Sequence, residues 1–211
     1  INIFLERVVP EFLGDSQFNL LIPNPEWFHP AGRFLSGVID VVLCKSYHAI
    51  DVYESLGFRT RYLGFTSPDR KTEHSIHKKP GFLHVAGGSH FKGTAQLVEI
   101  WEQHPEWPLL LVVTHRVLVD HVSPARNVRI LSHFIDDQSL LKLQNEMLFH
   151  IYPSQAEGFG HCINEAMSCG AIVLTNSAPP MDELVTPQTG FLFDCRLTGR
   201  QYLSPLVEFE P

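Results

Sequence analysis

The sequence has 211 residues, 44% of them hydrophobic and 18% charged, so it can bury a substantial core in one large or two small globular units. Its formal net charge at pH 7 is -7 and no block of lysine or arginine stands out, which argues against nucleic acid as a partner. No apolar run reaches the roughly 18 residues of a membrane-spanning helix. No signal peptide is visible either, although the chain starts at Ile1 and not at methionine.

Residues 1–67 show the pattern of a small αβ unit. Apolar runs predict strands at 1–5, 18–22, 38–44 and 59–65, and helical periodicity predicts a helix over 45–56 that stops at Gly57. The segment 23–27, PNPEW, either faces a cleft or forms a surface turn, and we favour the surface turn. Residues 68–80 are polar and contain two prolines, which predicts an interdomain linker.

From residue 81 onward, predicted strands alternate with predicted helices, which argues for βαβ units and a parallel sheet. The strands are expected at 82–86, 109–113, 128–131, 148–152, 172–175 and 191–193. Helices are expected at 92–103, after an N-cap at Asp136, and at 161–169. The continuous apolar run at 109–113 is typical of a fully buried parallel strand.

The most informative segment is the turn between the predicted strand at 148–152 and the predicted helix at 161–169. It is bracketed by Gly158 and Gly160, with Glu157 before the turn and Glu165 inside the helix. Backbone amides at a helix N-terminus favour negative charge, and carboxylates accept strong hydrogen bonds from hydroxyls. The segment therefore predicts a site that holds an anion together with a polyhydroxyl ligand.

Each glutamate also has a purely structural interpretation. Ser154 and Glu157 have the spacing of a helix capping box, although glycine is unfavourable in the first helical turn that would follow. Glu165 could be an ordinary exposed helix carboxylate.

A second glycine-rich turn, at Gly87, Gly88 and Ser89, precedes the predicted helix that begins at Lys92. The pattern is neither G-x-G-x-x-G nor a P-loop, so we exclude the NAD and ATP fingerprints. Taken alone, this pattern is weak, and Lys92 could simply be a solvated helix residue.

The four cysteines form no C-x-x-C pair, which predicts free, buried and reduced thiols and favours a cytoplasmic setting. Of the twelve histidines, His74 and His77 make the only close pair, and no third ligand lies nearby in the sequence. We therefore predict no zinc or other metal site. The cysteines are Cys44, Cys162, Cys169 and Cys195.

The residues from Glu157 to Glu165 within EGFGHCINEAMSCG, followed by AIVLTNSAPPMDELV and GFLF, resemble the donor-site signature of GT-B glycosyltransferases of the family 4 type. The resemblance covers about residues 81–194. It implies an α/β, GT-B-like fold, with a Rossmann-type parallel sheet carrying helices on both faces and part of a second α/β lobe. The implied domains are the end of an N-terminal acceptor lobe at 1–67, a linker at 68–80, a nucleotide-sugar donor lobe at 81–194 and a tail at 195–211. Because nothing matches the family's opening strand and glycine-rich turn, the chain resembles part of a longer enzyme.

The resemblance implies a hexosyltransferase-type enzyme that moves a sugar from a nucleotide-sugar to an acceptor, without a metal or other cofactor and with retention at the anomeric carbon. Glu157 matches the ligand of the sugar hydroxyls, Lys92 the phosphate-binding lysine and Glu165 the ligand of the ribose. Lys92 and Glu157 are the catalytic candidates. The substrate-binding candidates are Gly88, Ser89, Gly158, Phe159, Gly160, His161, Cys162 and Glu165.

Other interpretations stay open. The family's phosphate-binding arginine has no counterpart in the Gly87–Gly93 segment, which favours a non-catalytic nucleotide-sugar-binding relic. A GT-B-fold nucleotide-sugar epimerase and a plain Rossmann-like interaction domain are further alternatives. The sequence does not fix the donor (a UDP- or GDP-sugar, for example), the acceptor (glycan, lipid-linked or protein), the oligomeric state or contact with a membrane surface.

Overall fold

The structure is a computed structural model and describes residues 1–73, 77–115 and 125–210, so His74 of the histidine pair lies outside the described residues. The chain divides into two compact units. Unit 1 comprises Ile1–Thr66, Ala156–Phe159 and Leu197–Leu206. Unit 2 comprises the described residues of Ser67–Gln155, Gly160–Arg196 and those from Val207 onward.

Unit 1 is built on a four-stranded parallel sheet with the order β1-β2-β3-β4. All four predicted strands and the predicted helix are confirmed, with shorter bounds, because only part of each apolar run enters the ladder. Helix α1 starts where Ser46 Oγ accepts a hydrogen bond from Ala49 N at 3.1 Å, an N-cap contact. The elements are β1 Asn2–Leu5, β2 Asn19–Ile22, β3 Val41–Cys44, α1 Tyr47–Ser55 and β4 Thr60–Tyr62.

The core of unit 1 includes an aromatic cluster of Phe28, Tyr53 and Phe58, whose rings meet edge to face at centroid distances of 5.3 to 5.9 Å. Phe28 directly follows a short 3-10 turn, Pro25–Trp27. The turn was predicted, but its placement at the surface was wrong, because Glu26 is only 6% exposed. A carboxyl group is rarely buried unless it is paired, hydrogen-bonded or protonated.

Unit 2 contains a six-stranded, fully parallel sheet with the order β10-β9-β8-β5-β6-β7. The predicted strands are confirmed. This order is that of doubly wound, dinucleotide-binding sheets, in which the first and fourth strands are neighbours at the centre. The elements are β5 Lys79–Gly87, α2 Thr94–Gln103, β6 Leu110–Thr114, β7 Val128–Leu131, α3 Asp137–Glu146, β8 Met147–Tyr152, α4 His161–Ser168, β9 Ile172–Asn176, α5 Met181–Leu184 and β10 Gly190–Phe193.

Alternate residues of these strands enter two different cores, as the pleat of a strand requires. Leu111 packs in one core with Ile163 of α4, whereas Leu110 and Val112 pack in the other with Trp101 of α2. Helices therefore cover both faces of the sheet. Within the described residues no helix is long and apolar enough to cross a membrane.

Three segments differ from the sequence prediction. The helix predicted from residue 92 begins at Thr94, because Gly93 has φ of +65° and interrupts the chain after a 3-10 turn at His90–Lys92. The tail at 195–211, for which no strand was predicted, forms a β-hairpin of β11 Cys195–Gln201 and β12 Ser204–Phe209. Part of the linker predicted at 68–80 already belongs to β5.

Candidate functional site

The strand order of unit 2 creates a topological switch point between β5 and β8. The chain runs outward from β5 to β6 and β7 on one side, and from β8 to β9 and β10 on the other. Ligands of open α/β sheets bind outside the carboxyl ends of the strands at such a point. The loop after β5 and the loop after β8 are therefore the expected binding loops, and they contain both glycine-rich turns of the sequence.

The loop after β5 contains Gly88, Ser89 and Lys92. Gly88 is exposed, while Ser89 and Lys92 are partly buried. Ser89 Oγ accepts a hydrogen bond from Phe91 N at 3.3 Å and so caps the 3-10 turn that ends with Lys92. The helix was predicted to begin at Lys92, but the backbone amides that follow Ser89 belong to this short 3-10 turn.

The two switch-point loops are in direct backbone contact. A Cβ atom added to Gly93 would collide with the carbonyl oxygen of Pro153, the first residue after β8. Gln155 N donates a hydrogen bond to Phe91 O at 2.7 Å and holds the loops together a second time. This close approach requires glycine at position 93.

A buried histidine supports the same junction. His84 on β5 is 0% exposed, with Nδ1 at 2.7 Å from Ile151 O and Nε2 at 2.9 Å from Thr94 Oγ1. A carbonyl only accepts, so Nδ1 donates to Ile151 and Nε2 accepts from the Thr94 hydroxyl. The pKa of His84 is lowered to about 4, mainly by burial and also by the nearby Lys92 ammonium, while the hydrogen bond to Ile151 acts in the opposite direction. A neutral His84 thus joins β5, β8 and α2, and the sequence analysis did not identify it.

The loop after β8 leaves unit 2 at Gln155, and residues 156–159 count with unit 1. Glu157 is partly buried and lies in irregular structure, four residues before α4, so the capping-box interpretation is wrong. Phe159 is 7% exposed and packs edge to face against Phe65 at 5.0 Å. A ring fixed in this way anchors the loop that carries Glu157.

Helix α4 re-enters unit 2 at Gly160, its N-cap, which has φ of +94°. A Cβ at Gly160 would lie 2.9 Å from Leu184 Cδ1, so both conformation and space favour glycine. In the first turn, His161 Nδ1 lies 2.9 Å from Ser67 Oγ, and Cys162 is partly buried.

Glu165 on α4 is oriented by a chain of hydrogen bonds. Its Oε2 accepts from Gln144 Nε2 at 3.0 Å, and Gln144 Oε1 accepts from Arg70 Nε at 3.0 Å. The Arg70 guanidinium is fixed in turn by Asp137, at 2.8 Å. Because Arg70 can only donate, the amide of Gln144 must point its NH2 group at Glu165. Gln144 is 0% exposed and is therefore a positioning residue for this carboxylate.

Replacing Gln144 by leucine should lower the free energy of unfolding by about 1–3 kcal/mol, because Arg70 and Glu165 each lose a buried hydrogen-bond partner. Chemical denaturation followed by circular dichroism measures this change. The matched control is Gln138→Leu, an exposed position on the same helix, which should stay within about 0.5 kcal/mol of wild type. Equal effects of the two substitutions would show that Gln144 does not position Glu165.

A cavity of about 580 Å³ lies at the carboxyl ends of β5, β6 and β7, beside the switch point. It is mostly apolar, which suits a flat ring with a few polar edges. Its lining residues include Gly88, Thr114, Ser132, His133, Phe134 and Ile135.

No group of three His, Cys, Asp or Glu side chains is arranged to hold a metal ion in the described ranges. All four cysteines are free thiols. Cys44 and Cys169 are buried, whereas Cys162 and Cys195 are only partly buried, so the prediction of burial is wrong for the latter two. Both still pack at the edge of the core that contains Leu111 and Ile163.

The parallel sheets and the central switch point define an α/β protein with a Rossmann-type sheet. The chain belongs to the family of glycosyl transferases group 1, whose model matches residues 66–199. A comparison with curated proteins gives no significant match.

Solved structures agree with this fold. The pneumococcal O-GlcNAc transferase GtfA, in complex with UDP and GlcNAc, is 12% identical, has a TM-score of 0.70 and matches 91% of this chain and 45% of its own. Anabaena HepE in complex with UDP is 19% identical, has a TM-score of 0.69 and matches 96% of this chain and 66% of its own. Sucrose-phosphate synthase from Thermosynechococcus elongatus is 18% identical, has a TM-score of 0.65 and matches 87% and 57%. This chain thus spans about half to two thirds of these relatives, and the predicted GT-B fold class is confirmed.

The structure places the candidate residues in two groups. Unit 2 contains Gly88, Ser89, Lys92, Gly160, His161, Cys162 and Glu165, whereas Glu157, Gly158 and Phe159 belong to unit 1. The sequence analysis missed Arg70, Gln144 and His84. Nothing in their local sequence marks them, because their roles arise from contacts with distant segments.

Proposed function

We propose that this chain carries the donor site of a family 4-type hexosyltransferase, which transfers a sugar from a nucleotide-sugar to an acceptor with retention and without a metal. The observation that carries the proposal is the oriented carboxylate of Glu165, on the helix that follows the switch-point loop. A fixed carboxylate accepts hydrogen bonds from vicinal hydroxyls, as a ribose presents them.

In this proposal each part of the donor has its own residues. The diphosphate binds Lys92, the turn at Gly88 and Ser89, and the amides of residues 158–162. Glu157 binds the sugar and Glu165 the ribose. The nucleobase binds in the cavity at the carboxyl ends of β6 and β7. Two of the similar solved structures hold UDP, which supports a nucleotide as the class of ligand.

The reaction breaks the bond between the anomeric carbon and the diphosphate oxygen, and the electron pair stays on the diphosphate. A new bond forms to the acceptor oxygen, whose hydroxyl proton is released. Negative charge therefore builds up on the leaving group, and preorganised donors aimed at it are typically the largest catalytic contribution. Lys92 and the loop amides would supply them in place of a metal.

Nucleotide binding tests the proposal. Thermal shift and calorimetry with UDP, GDP, ADP and their sugars, in EDTA, should show one nucleotide that stabilises the chain, by about 2.7 kcal/mol at a hundredfold excess over its dissociation constant. Glu165→Ala should weaken it about ten- to hundredfold, since a hydrogen bond to a charged group contributes about 1.5–3 kcal/mol. Glu11→Ala, at an exposed position, is the matched control. Absence of binding at millimolar concentration would refute the donor site.

The missing arginine supports a second candidate, a non-catalytic nucleotide-sugar-binding module. Donor hydrolysis by the full-length protein distinguishes them, because a binding module releases no free sugar. An epimerase would instead interconvert the donor sugar without an acceptor. We propose a cytoplasmic location, with contact to a membrane surface open, since all four cysteines are free.

A further inference from the structure

The carboxyl edge of the sheet in unit 1 holds a partly buried polar cluster that the sequence motif does not include. Glu6 directly follows β1, Asn24 and Glu26 follow β2, and Lys45 directly follows β3. Because carboxyl ends of parallel strands meet at one edge, these side chains converge, and Lys45 Nζ lies 3.1 Å from Glu6 Oε1.

Three acceptor atoms of this cluster are buried and unpaired within the described residues. They are Glu6 Oε2, Asn24 Oδ1 and Glu26 Oε2. Glu26 is 6% exposed, so water does not freely solvate its carboxyl group. Buried polar atoms are almost always hydrogen-bonded, and exceptions call for an explanation such as a bound molecule.

The cluster lies against the loop that carries Glu157. A Cβ added to Gly158 would lie 2.6 Å from both Asn24 Oδ1 and Glu26 Oε1, closer than real side chains approach. Glycine at position 158 therefore leaves the space in which Asn24 and Glu26 sit beside Glu157. The pKa of Glu26 is raised to about 7, mainly by burial and also by the nearby Glu157 and Glu6 carboxylates, while a backbone hydrogen bond and Lys45 act in the opposite direction.

We propose that Glu26 and Asn24 bind a hydroxyl group of the sugar that Glu157 contacts. The inference rests on the proposed function, which assigns a sugar to Glu157. An alcohol needs one acceptor for its O–H and one donor for its oxygen. Protonated Glu26 supplies the donor and Asn24 Oδ1 supplies the acceptor, so the pair matches a hydroxyl and not an anion.

The protonation of Glu26 makes this binding pH-dependent. The groups that act electrostatically on Glu26 are Glu6 after β1, Lys45 after β3 and Glu157 in the 156–159 loop. Tyr53 on α1 is a further titratable neighbour, on which Glu26 itself acts. With a pKa of about 7, the protonated fraction falls about tenfold between pH 6 and pH 8. The contribution of the sugar to binding should fall by the same factor.

Calorimetry with UDP, GDP, UDP-glucose, UDP-GlcNAc and GDP-mannose on the whole chain tests the proposal for the donor sugar. For wild type, the ratio of the dissociation constant of the nucleotide to that of its sugar should be about tenfold larger at pH 6 than at pH 8. In Glu26→Gln, which is neutral at both pH values, the ratio should not change with pH. Asn24→Leu should lower it equally at both pH values. Glu11→Gln, an exposed glutamate, should behave as wild type.

The same sugar chemistry could come from the acceptor, so methyl glucoside, mannoside and galactoside are tested by saturation-transfer NMR without nucleotide. A signal that depends on pH and on Glu26 only with methyl glycosides assigns the hydroxyl to an acceptor sugar. The same NMR signal would support a sugar hydroxyl at Glu26 and Asn24 even if no nucleotide bound and the proposed donor site were refuted. If the binding of neither class of probe changes with pH or with Glu26→Gln, Glu26 and Asn24 are only structural residues and the inference is wrong.

Discussion

Replacing Gly93 by alanine is expected to lower the free energy of unfolding by about 2–5 kcal/mol. Alanine at φ of +65° costs roughly 1–2 kcal/mol, and its Cβ would also collide with the Pro153 carbonyl, where overpacking costs typically 1–3 kcal/mol more. The total is a large part of the 5–15 kcal/mol by which a typical domain is stable. Urea denaturation followed by circular dichroism measures the loss.

Gly87→Ala is the matched control, because Gly87, the last residue of β5, has φ of +59° but no atom within 4 Å of an added Cβ. It should lose only the conformational part, about 1–2 kcal/mol. The difference between the two variants isolates the contact between the switch-point loops. If both lose the same amount, that contact is absent in solution.

The alternation of strands and helices in unit 2 could be predicted because each element is marked locally. Asp136 is a clear instance: it was predicted as an N-cap, and its Oδ1 accepts from Ser139 N at 2.9 Å. The order of the strands has no local signal in the sequence, and only the structure shows it. That order is what turns two glycine-rich turns, far apart in the sequence, into neighbouring loops.

The C-terminal hairpin was not predicted because its alternation is weak. Val207 and Phe209 are buried on one side of β12, while Glu208 between them pairs with Arg196 at 3.1 Å. Two alternating buried residues are too few to predict a strand from the sequence, and Pro205 within the segment argues against one.

The candidate site was only partly visible for a related reason. Glu157 and Glu165 stand in a recognisable frame, so they could be proposed from the sequence. Arg70 and Gln144 act through Glu165, and Glu26 lies against Gly158, which is distant in the sequence. A sequence motif contains the residues that are expected to contact a ligand directly. The residues that orient or surround those residues can be identified only from the three-dimensional structure.

Glu26→Gln is expected to stabilise the chain, and the gain should depend on pH. The pKa of Glu26 is about 7 in the folded chain against 4.5 ordinarily, so the folded state holds a proton that the unfolded state has lost between these values. The stability of wild type therefore falls as pH rises through this window, by about 3 kcal/mol in all. Glutamine carries no such cost, and thermal unfolding should show a gain of about 3 kcal/mol at pH 8 and under about 1 kcal/mol at pH 5.

Comparing the two proteins at equal pH removes the contribution of His84 and His150, whose lowered pKa values of about 4 make both proteins lose stability in acid. Glu11→Gln, at an exposed position, should change stability at neither pH. A buried carboxyl group that destabilises the free chain at neutral pH is unfavourable unless a ligand uses it. A gain in stability at pH 8, together with loss of the pH-dependent sugar contribution, would show that Glu26 serves binding at the expense of stability. An unchanged stability at pH 8 would mean that Glu26 is solvated and carries neither role.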